Sequence, residues 1–137
     1  MALARDIMTP SPQCVGENQT LAEAARLLAS LDVGVLPICG EDQKLVGMLT
    51  DRDIVVKAIA EGLDPTTTTA GSLAEGKPVY VMADDDVQDA MDLMKQHQVR
   101  RVPVIEDHRL VGIISQADIA LTAPSKQTGR IVEQISE

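Results

Sequence analysis

Two stretches of the chain set a hydroxyl and a carboxylate three residues apart at the end of an apolar run. They are Thr50-x-x-Asp53 after Leu45-Val46-Gly47-Met48-Leu49, and Ser115-x-x-Asp118 after Leu110-Val111-Gly112-Ile113-Ile114. A helical pattern follows each at once, so both groups fall beside the first turn of a helix. Taken alone, such a pair reads as a capping box, an N-cap hydroxyl with an acid three residues on, because this pattern recurs wherever helices begin. Its duplication in matching surroundings is what singles it out. Nothing in the sequence suggests a general base paired with a nucleophile, and Walker, GxGxxG, HExxH and nucleophile-elbow patterns are absent, so the chain does not read as an enzyme.

A unit written twice positions these residues. Thr20-x-x-Glu23 opens a helix with Leu21, Ala24, Ala25, Leu28 and Leu31 on one face; a strand over 35–39, a turn over 40–43 and a strand over 45–49 make a hairpin; a helix over 51–61 ends at Gly62. A lead-in over 4–8, stopped by Thr9-Pro10, and an extended segment over 13–15 precede them. The pattern restarts with a strand over 77–82, a helix opened by Asp86-x-x-Asp89 with Val87, Ala90, Met91 and Met94 on one face, a hairpin over 102–105 and 110–114, and a helix from about Gln116 stopped by Pro124. Leu21 to Val87, Ala24 to Ala90 and Pro37 to Pro103 are each 66 apart, while Leu45 to Leu110, Gly47 to Gly112 and Asp53 to Asp118 are each 65 apart, so one residue is missing from the second hairpin turn. This agreement identifies a duplicated β-α-β-β-α unit and an α+β fold. One copy of roughly 60 residues is marginal alone, so pairing about a pseudo-two-fold axis is the expected reason for having both. The boundaries expected are a first repeat with its lead-in over 1–65, a second over 66–123, and a tail over 124–137 with Ile131, Val132 and Ile135 at the spacing of a short docked helix.

Composition narrows the partners. The 137 residues include 45% hydrophobic ones but no Phe or Trp, and Tyr80 is the sole aromatic residue, so the core is aliphatic and stacking on nucleic-acid bases lacks its usual platform. A formal charge of -9 argues against a phosphate-backbone partner. No apolar run approaches the roughly 20 residues of a membrane span, and no leader pattern is present; a cytoplasmic protein that does not engage membrane is expected.

The unit ending in Leu-Val-Gly-h-h-Thr/Ser-x-x-Asp, with a Leu/Val-Pro-h-h strand before it, resembles the CBS domain, and two in tandem resemble a CBS pair or Bateman module. The likeness runs over roughly 4–123, and Asp6-Ile7-Met8-Thr9-Pro10 with Thr50-Asp51-Arg52-Asp53-Ile54-Val55 is similar to small stand-alone bacterial members. The resemblance implies a regulatory module whose clefts between the repeats bind adenosine-containing ligands such as AMP, ATP or S-adenosylmethionine, with no cofactor required. It implies that Asp53 and Asp118 hold ribose hydroxyls and that Thr50 and Ser115 contact ribose or phosphate; an ionised carboxylate suits a vicinal diol because it accepts two hydrogen bonds. Arg100 and Arg101 stand where nucleotide-binding members carry basic residues that reach phosphates, whereas Gly34 and Val35 match them in the first copy. The alternative for both arginines is a solvated strand edge. Arg52, His108 and Arg109 are weaker candidates. The second site is therefore expected to favour a phosphorylated ligand and the first a less charged adenosyl group, read by an unknown effector or through a homodimer. The competing reading is a ligand-independent stress-response or scaffolding protein.

Cys14 and Cys39 fit no CxxC motif and read first as free buried thiols. A disulfide or redox pair is the second reading, since strands joined by the first helix bring them close. Zinc held with His97 or His108 is the third and rests on irregular spacing.

Overall fold

In the computed structural model, residues 2–76 and 78–122 are described, and the expected tail over 124–137 lies outside them. The described residues divide into two compact units: Gln13–Pro78, and residues 2–12 together with residues 79–122.

The unit of Gln13–Pro78 is built on the expected hairpin, β3 (Val35–Cys39) antiparallel to β4 (Leu45–Thr50), with β2 (Val15–Gly16) parallel on the outer edge of β3. Parallel neighbours need a crossover, and α2 (Leu21–Leu31) supplies it. Its capping box forms as the sequence dictates. The Glu23 amide donates to the Thr20 hydroxyl at 3.2 Å, and the Thr20 amide donates to the Glu23 carboxylate at 3.2 Å. Leu21, Ala24 and Leu28 bury against Val15, Leu36, Ile38 and Leu49, whereas Ala25 and Leu31, expected on the same stripe, are exposed. The helix expected over 51–61 is instead a short α3 (Asp51–Asp53) that widens into a π-helix, Ile54–Ile59. The Ala60 amide reaches back five residues to the Val55 carbonyl at 2.9 Å. Three of the four branched side chains in this turn, Val55, Val56 and Ile59, are exposed, while Ile54 and Ala58 face the core. Crowding among β-branched residues lowers the α-helical preference here.

The other unit repeats the plan in a sheet of order β1-β7-β6-β5. β6 (Arg101–Glu106) and β7 (Arg109–Ser115) form the hairpin; β5 (Val81–Met82), shorter than the strand expected over 77–82, lies parallel to β6 through the crossover helix α4 (Val87–His97); α5 (Gln116–Thr122) follows β7. Asp107 and His108 both take left-handed φ, 52° and 66°, as a two-residue turn between twisted strands requires. That tight turn accounts for the missing residue. The copies agree in detail: both α2 and α4 end on a left-handed residue, Asp32 and Gln98, and both hairpins shift register after equivalent residues, Ile38 and Val104. Ala90, Met91, Met94, Val102, Val104, Ile114 and Ile119 form this unit's core.

The lead-in packs with the copy that it does not precede. α1 (Ala4–Ile7) and β1 (Thr9–Pro10) belong to the second copy, not the first: β1 adds antiparallel to β7 with Thr9 opposite Ile113 and Pro10 opposite Gly112, and the Ala4 amide donates to the Asp85 carbonyl at 2.7 Å. Arg5 also pairs with Asp84 and, at 3.0 Å, with Glu106. Residues 70–76, which match 4–10 at the same offset of 66, complete the first copy instead. A 3-10 turn at Ala70–Leu73 is bound there by Ala70 N–H to the Gln19 carbonyl at 2.8 Å and Gly71 N–H to the Glu17 carbonyl at 2.9 Å. The reason is local. A sheet edge at β7 offers unpaired backbone groups to a short extended segment, and Gly112 leaves room for Met8 to lie against it, as Gly47 does for Ala74.

Among the described residues no helix is long and apolar enough to cross a membrane.

Candidate functional site

Each unit brings its hydroxyl and carboxylate together at the end of the central hairpin. Thr50 closes β4 and caps α3; the Asp53 amide donates to its hydroxyl at 3.0 Å, and the Thr50 amide donates to Asp53 Oδ2 at 2.9 Å. Ser115 closes β7 and repeats both bonds with Asp118, at 3.0 and 2.9 Å. The strand in front is tied to the same point. Val35 lies opposite Thr50 and Arg101 opposite Ser115, while the Asp51 amide donates to the Gly34 carbonyl at 3.0 Å and the Gln116 amide to the Arg100 carbonyl at 2.9 Å. Capping is thus a working role of both pairs. It takes one lone pair from each carboxylate, and a carboxylate has about four.

The remaining capacity is used differently in the two copies. The Lys57 ammonium lies 3.3 Å from Asp53 Oδ1 and 3.2 Å from Glu75, a residue of the segment that completes this unit. Partial burial pushes the Asp53 carboxyl up, but the Thr50 amide and hydroxyl and the Lys57 ammonium outweigh it and hold the carboxyl below its ordinary value. Lys57 is itself shifted up: desolvation pulls it down, and its bonds to Glu75 and Asp53 more than compensate. In the other copy the matching neighbour is Thr9, at the same offset of 66 from Glu75, whose hydroxyl lies 3.4 Å from both oxygens of Asp118. The side chains of Arg100 and Arg101 are exposed where the strand meets this node. Beside it, Gln116 Nε2 is buried with no hydrogen-bond partner among the described residues.

Lys57, Glu75, Thr9 and Gln116 were not among the sequence candidates. Lys57 carried a legible signal, four residues after an acid on one helix. Thr9 and Glu75 carried none until the lead-ins were seen to cover the copies they do not precede. Arg52 is exposed in the first turn of α3. His97, at the end of α4, and His108, in the hairpin turn, are both exposed, and among the described residues no group of three or more His, Cys, Asp or Glu side chains forms a metal cluster. The free-thiol reading is corrected: Cys14 and Cys39 form a disulfide with their Cα atoms 5.9 Å apart, because β2 lies beside the end of β3.

Comparison with known proteins matches the CBS domain model to residues 4–59 and 70–123. The chain is 53% identical over 135 residues to Hypoxic response protein 1 of Mycobacterium tuberculosis, spanning 98% of this chain and 94% of that one. Among solved structures, Hypoxic Response Protein I with two coordinated zinc ions superposes with a TM-score of 0.85 at 55% identity over 90% of this chain and 100% of that one. CBSX2 in complex with AMP superposes with a TM-score of 0.78 at 25% identity over 93% and 99%.

Proposed function

The chain belongs to the CBS-domain family, and from that premise we propose that it is a ligand-sensing regulatory module, rather than an enzyme, taking adenosine-containing ligands at its two hydroxyl–carboxylate nodes. The observation that carries this reading is the unequal electrostatics of two nodes with the same backbone construction. Beside the Ser115–Asp118 node the strand in front carries two exposed cationic residues, Arg101 opposite Ser115 and Arg100, whose carbonyl accepts from the Gln116 amide; around Asp53, two carboxylates share one ammonium, Lys57. A phosphorylated ligand such as AMP or ATP suits the first, its ribose diol donating to Asp118, the Ser115 hydroxyl close by and the arginines reaching phosphate. The net negative node at Asp53, with Thr50 and the exposed Arg52, suits an adenosyl group of little negative charge, the S-adenosylmethionine class. The AMP complex of CBSX2 supports the ligand class.

Binding acts by differential affinity for two arrangements of the protein, and an effector reads the shift. Val55, Val56, Ile59 and Leu63 are exposed apolar residues of one unit and support a homodimer as the form in which it is read.

The zinc of the Hypoxic Response Protein I structure is not carried over. The two sulfurs here are spent on each other, and His97 at the end of α4 and His108 in the hairpin turn are exposed on different elements, so these four side chains do not fit a tetrahedral site.

Calorimetric titration of the purified chain with AMP, ATP and S-adenosylmethionine decides. The expected result is nucleotide binding that Asp118→Ala abolishes and Asp53→Ala spares. No heat from any of the three at millimolar concentration overturns the reading and leaves a ligand-independent scaffold. Circular dichroism of Asp118→Ala separates lost recognition from lost capping.

A further inference from the structure

The Cys14–Cys39 disulfide joins an accessible sulfur to a shielded one. Cys39 is 5% exposed and packs at the end of β3. Cys14 is half-buried and lines an open groove of about 500 Å³ with Gln13, Val15, Gln19, Glu23 and Arg26. A thiolate entering that groove meets Cys14 Sγ, with the Arg26 cation among the lining groups. Access and the choice of sulfur set the rate of thiol–disulfide exchange.

The bond reinforces a strand otherwise held by the buried Val15 side chain and a few backbone bonds. β2 is two residues long, paired through Val15 opposite Ile38 and Gly16 opposite Cys39, with one further bond from the Glu17 amide to the Cys39 carbonyl at 2.9 Å. The next residues carry the segment that reaches the Asp53 node. Glu17 and Gln19 carbonyls accept from the Gly71 and Ala70 amides, and the turn they anchor leads to Glu75 on Lys57.

We propose that Cys14–Cys39 is a thiol–disulfide exchange site for a dithiol reductant, attacked at Cys14, and that its redox state sets the order of β2 and of the 70–75 segment bound to it. The reductant's thiolate attacks Cys14 Sγ; the bond to Cys39 breaks and Cys39 leaves as a thiolate that takes up a proton. The reductant's second thiolate then attacks its own sulfur in the mixed disulfide and releases Cys14, again protonated. Two electrons and two protons pass from the dithiol, which leaves as its disulfide. This inference is independent of the ligand reading.

Hydrogen exchange of the wild-type full chain, oxidised and after dithiothreitol, tests it. The Glu17, Ala70 and Gly71 amides should exchange about tenfold faster once reduced, while Arg5 and Gln116 in the other unit stay unchanged. In the folded single variants, glutathione disulfide should label Cys14 in Cys39→Ser and spare Cys39 in Cys14→Ser. Unchanged exchange at Ala70 and Gly71 in the reduced protein, a disulfide that dithiothreitol does not reduce, or equal labelling of the two cysteines overturns the proposal. The wild-type measurement decides even if a variant does not fold.

Discussion

Replacing Thr50 by Ala and, separately, Lys57 by Met asks which interaction fixes the Asp53 carboxylate. Thr50→Ala removes the acceptor of the Asp53 amide, a bond of 3.0 Å at a partly buried helix start. Loss of such a cap costs about 1 kcal/mol. Lys57→Met keeps the aliphatic stem and deletes an ammonium 3.3 Å from Asp53 Oδ1. Coulomb's law at that distance gives roughly 5 kcal/mol at an effective dielectric of about 20. The two side chains are 34% and 21% exposed, however, and measured pairs four residues apart on helices deliver about 0.3–0.5 kcal/mol. Glu75, 73% exposed, adds little to that. The cap should therefore outweigh the ion pair about twofold. Urea unfolding of the oxidised protein at about pH 7, followed by circular dichroism, measures both costs. Acid supplies a second check. The folded Asp53 carboxyl lies below its ordinary value, so its contribution is full above the free-aspartate value near 3.9 and is lost as pH falls through the folded value. The gap between wild type and Asp53→Asn should narrow as pH falls below the free-aspartate range. A Lys57→Met cost above that of Thr50→Ala, or a gap that persists in acid, refutes the reasoning.

Two further expectations concern the glycines and the arginines. In Gly112→Ala the new Cβ meets the Met8 sulfur and comes within 2.7 and 2.9 Å of its Cγ and Cβ, so an overpacking loss of about 1–3 kcal/mol is expected, with faster exchange of the Arg5 amide; Gly47→Ala meets Ala74 Cβ at 3.1 Å and should cost less than about 1 kcal/mol in the same urea assay. Arg100→Ala with Arg101→Ala should weaken ATP by about 10-fold or more and flatten its salt dependence, leaving S-adenosylmethionine unchanged by calorimetry.

The repeat, both hairpins and the capping pairs were legible because each rests on short-range chemistry. A hydroxyl three residues before an acid, at the end of an apolar run, has few other conformations in which both groups are satisfied. The π-helix was not legible, since Ile54 to Ile59 fit an α-helical stripe equally well and only the choice of exposed valines distinguishes the two. The ownership of residues 4–10 and 70–76 was hidden for a different reason. The same offset of 66 relates them whichever copy they cover, so periodicity alone cannot say which sheet edge receives which segment. Cys14 and Cys39 were placed on neighbouring strands from the sequence, but their oxidation state depends on a distance that spacing does not give.

The exchanged lead-ins also bear on the order in which the molecule comes together during synthesis. Everything that completes the unit of Gln13–Pro78 has been made once Pro78 leaves the ribosome. The unit that takes up residues 3–10 must instead wait for nearly the last described ones: Arg5 meets Glu106 across 101 positions, and Thr9 meets Asp118 across 109. Contacts of such separation form slowly because a long loop must close first. The segment of Arg5 and Thr9 is therefore among the last parts to settle, and the node beside Arg100 and Arg101 is finished only when it does.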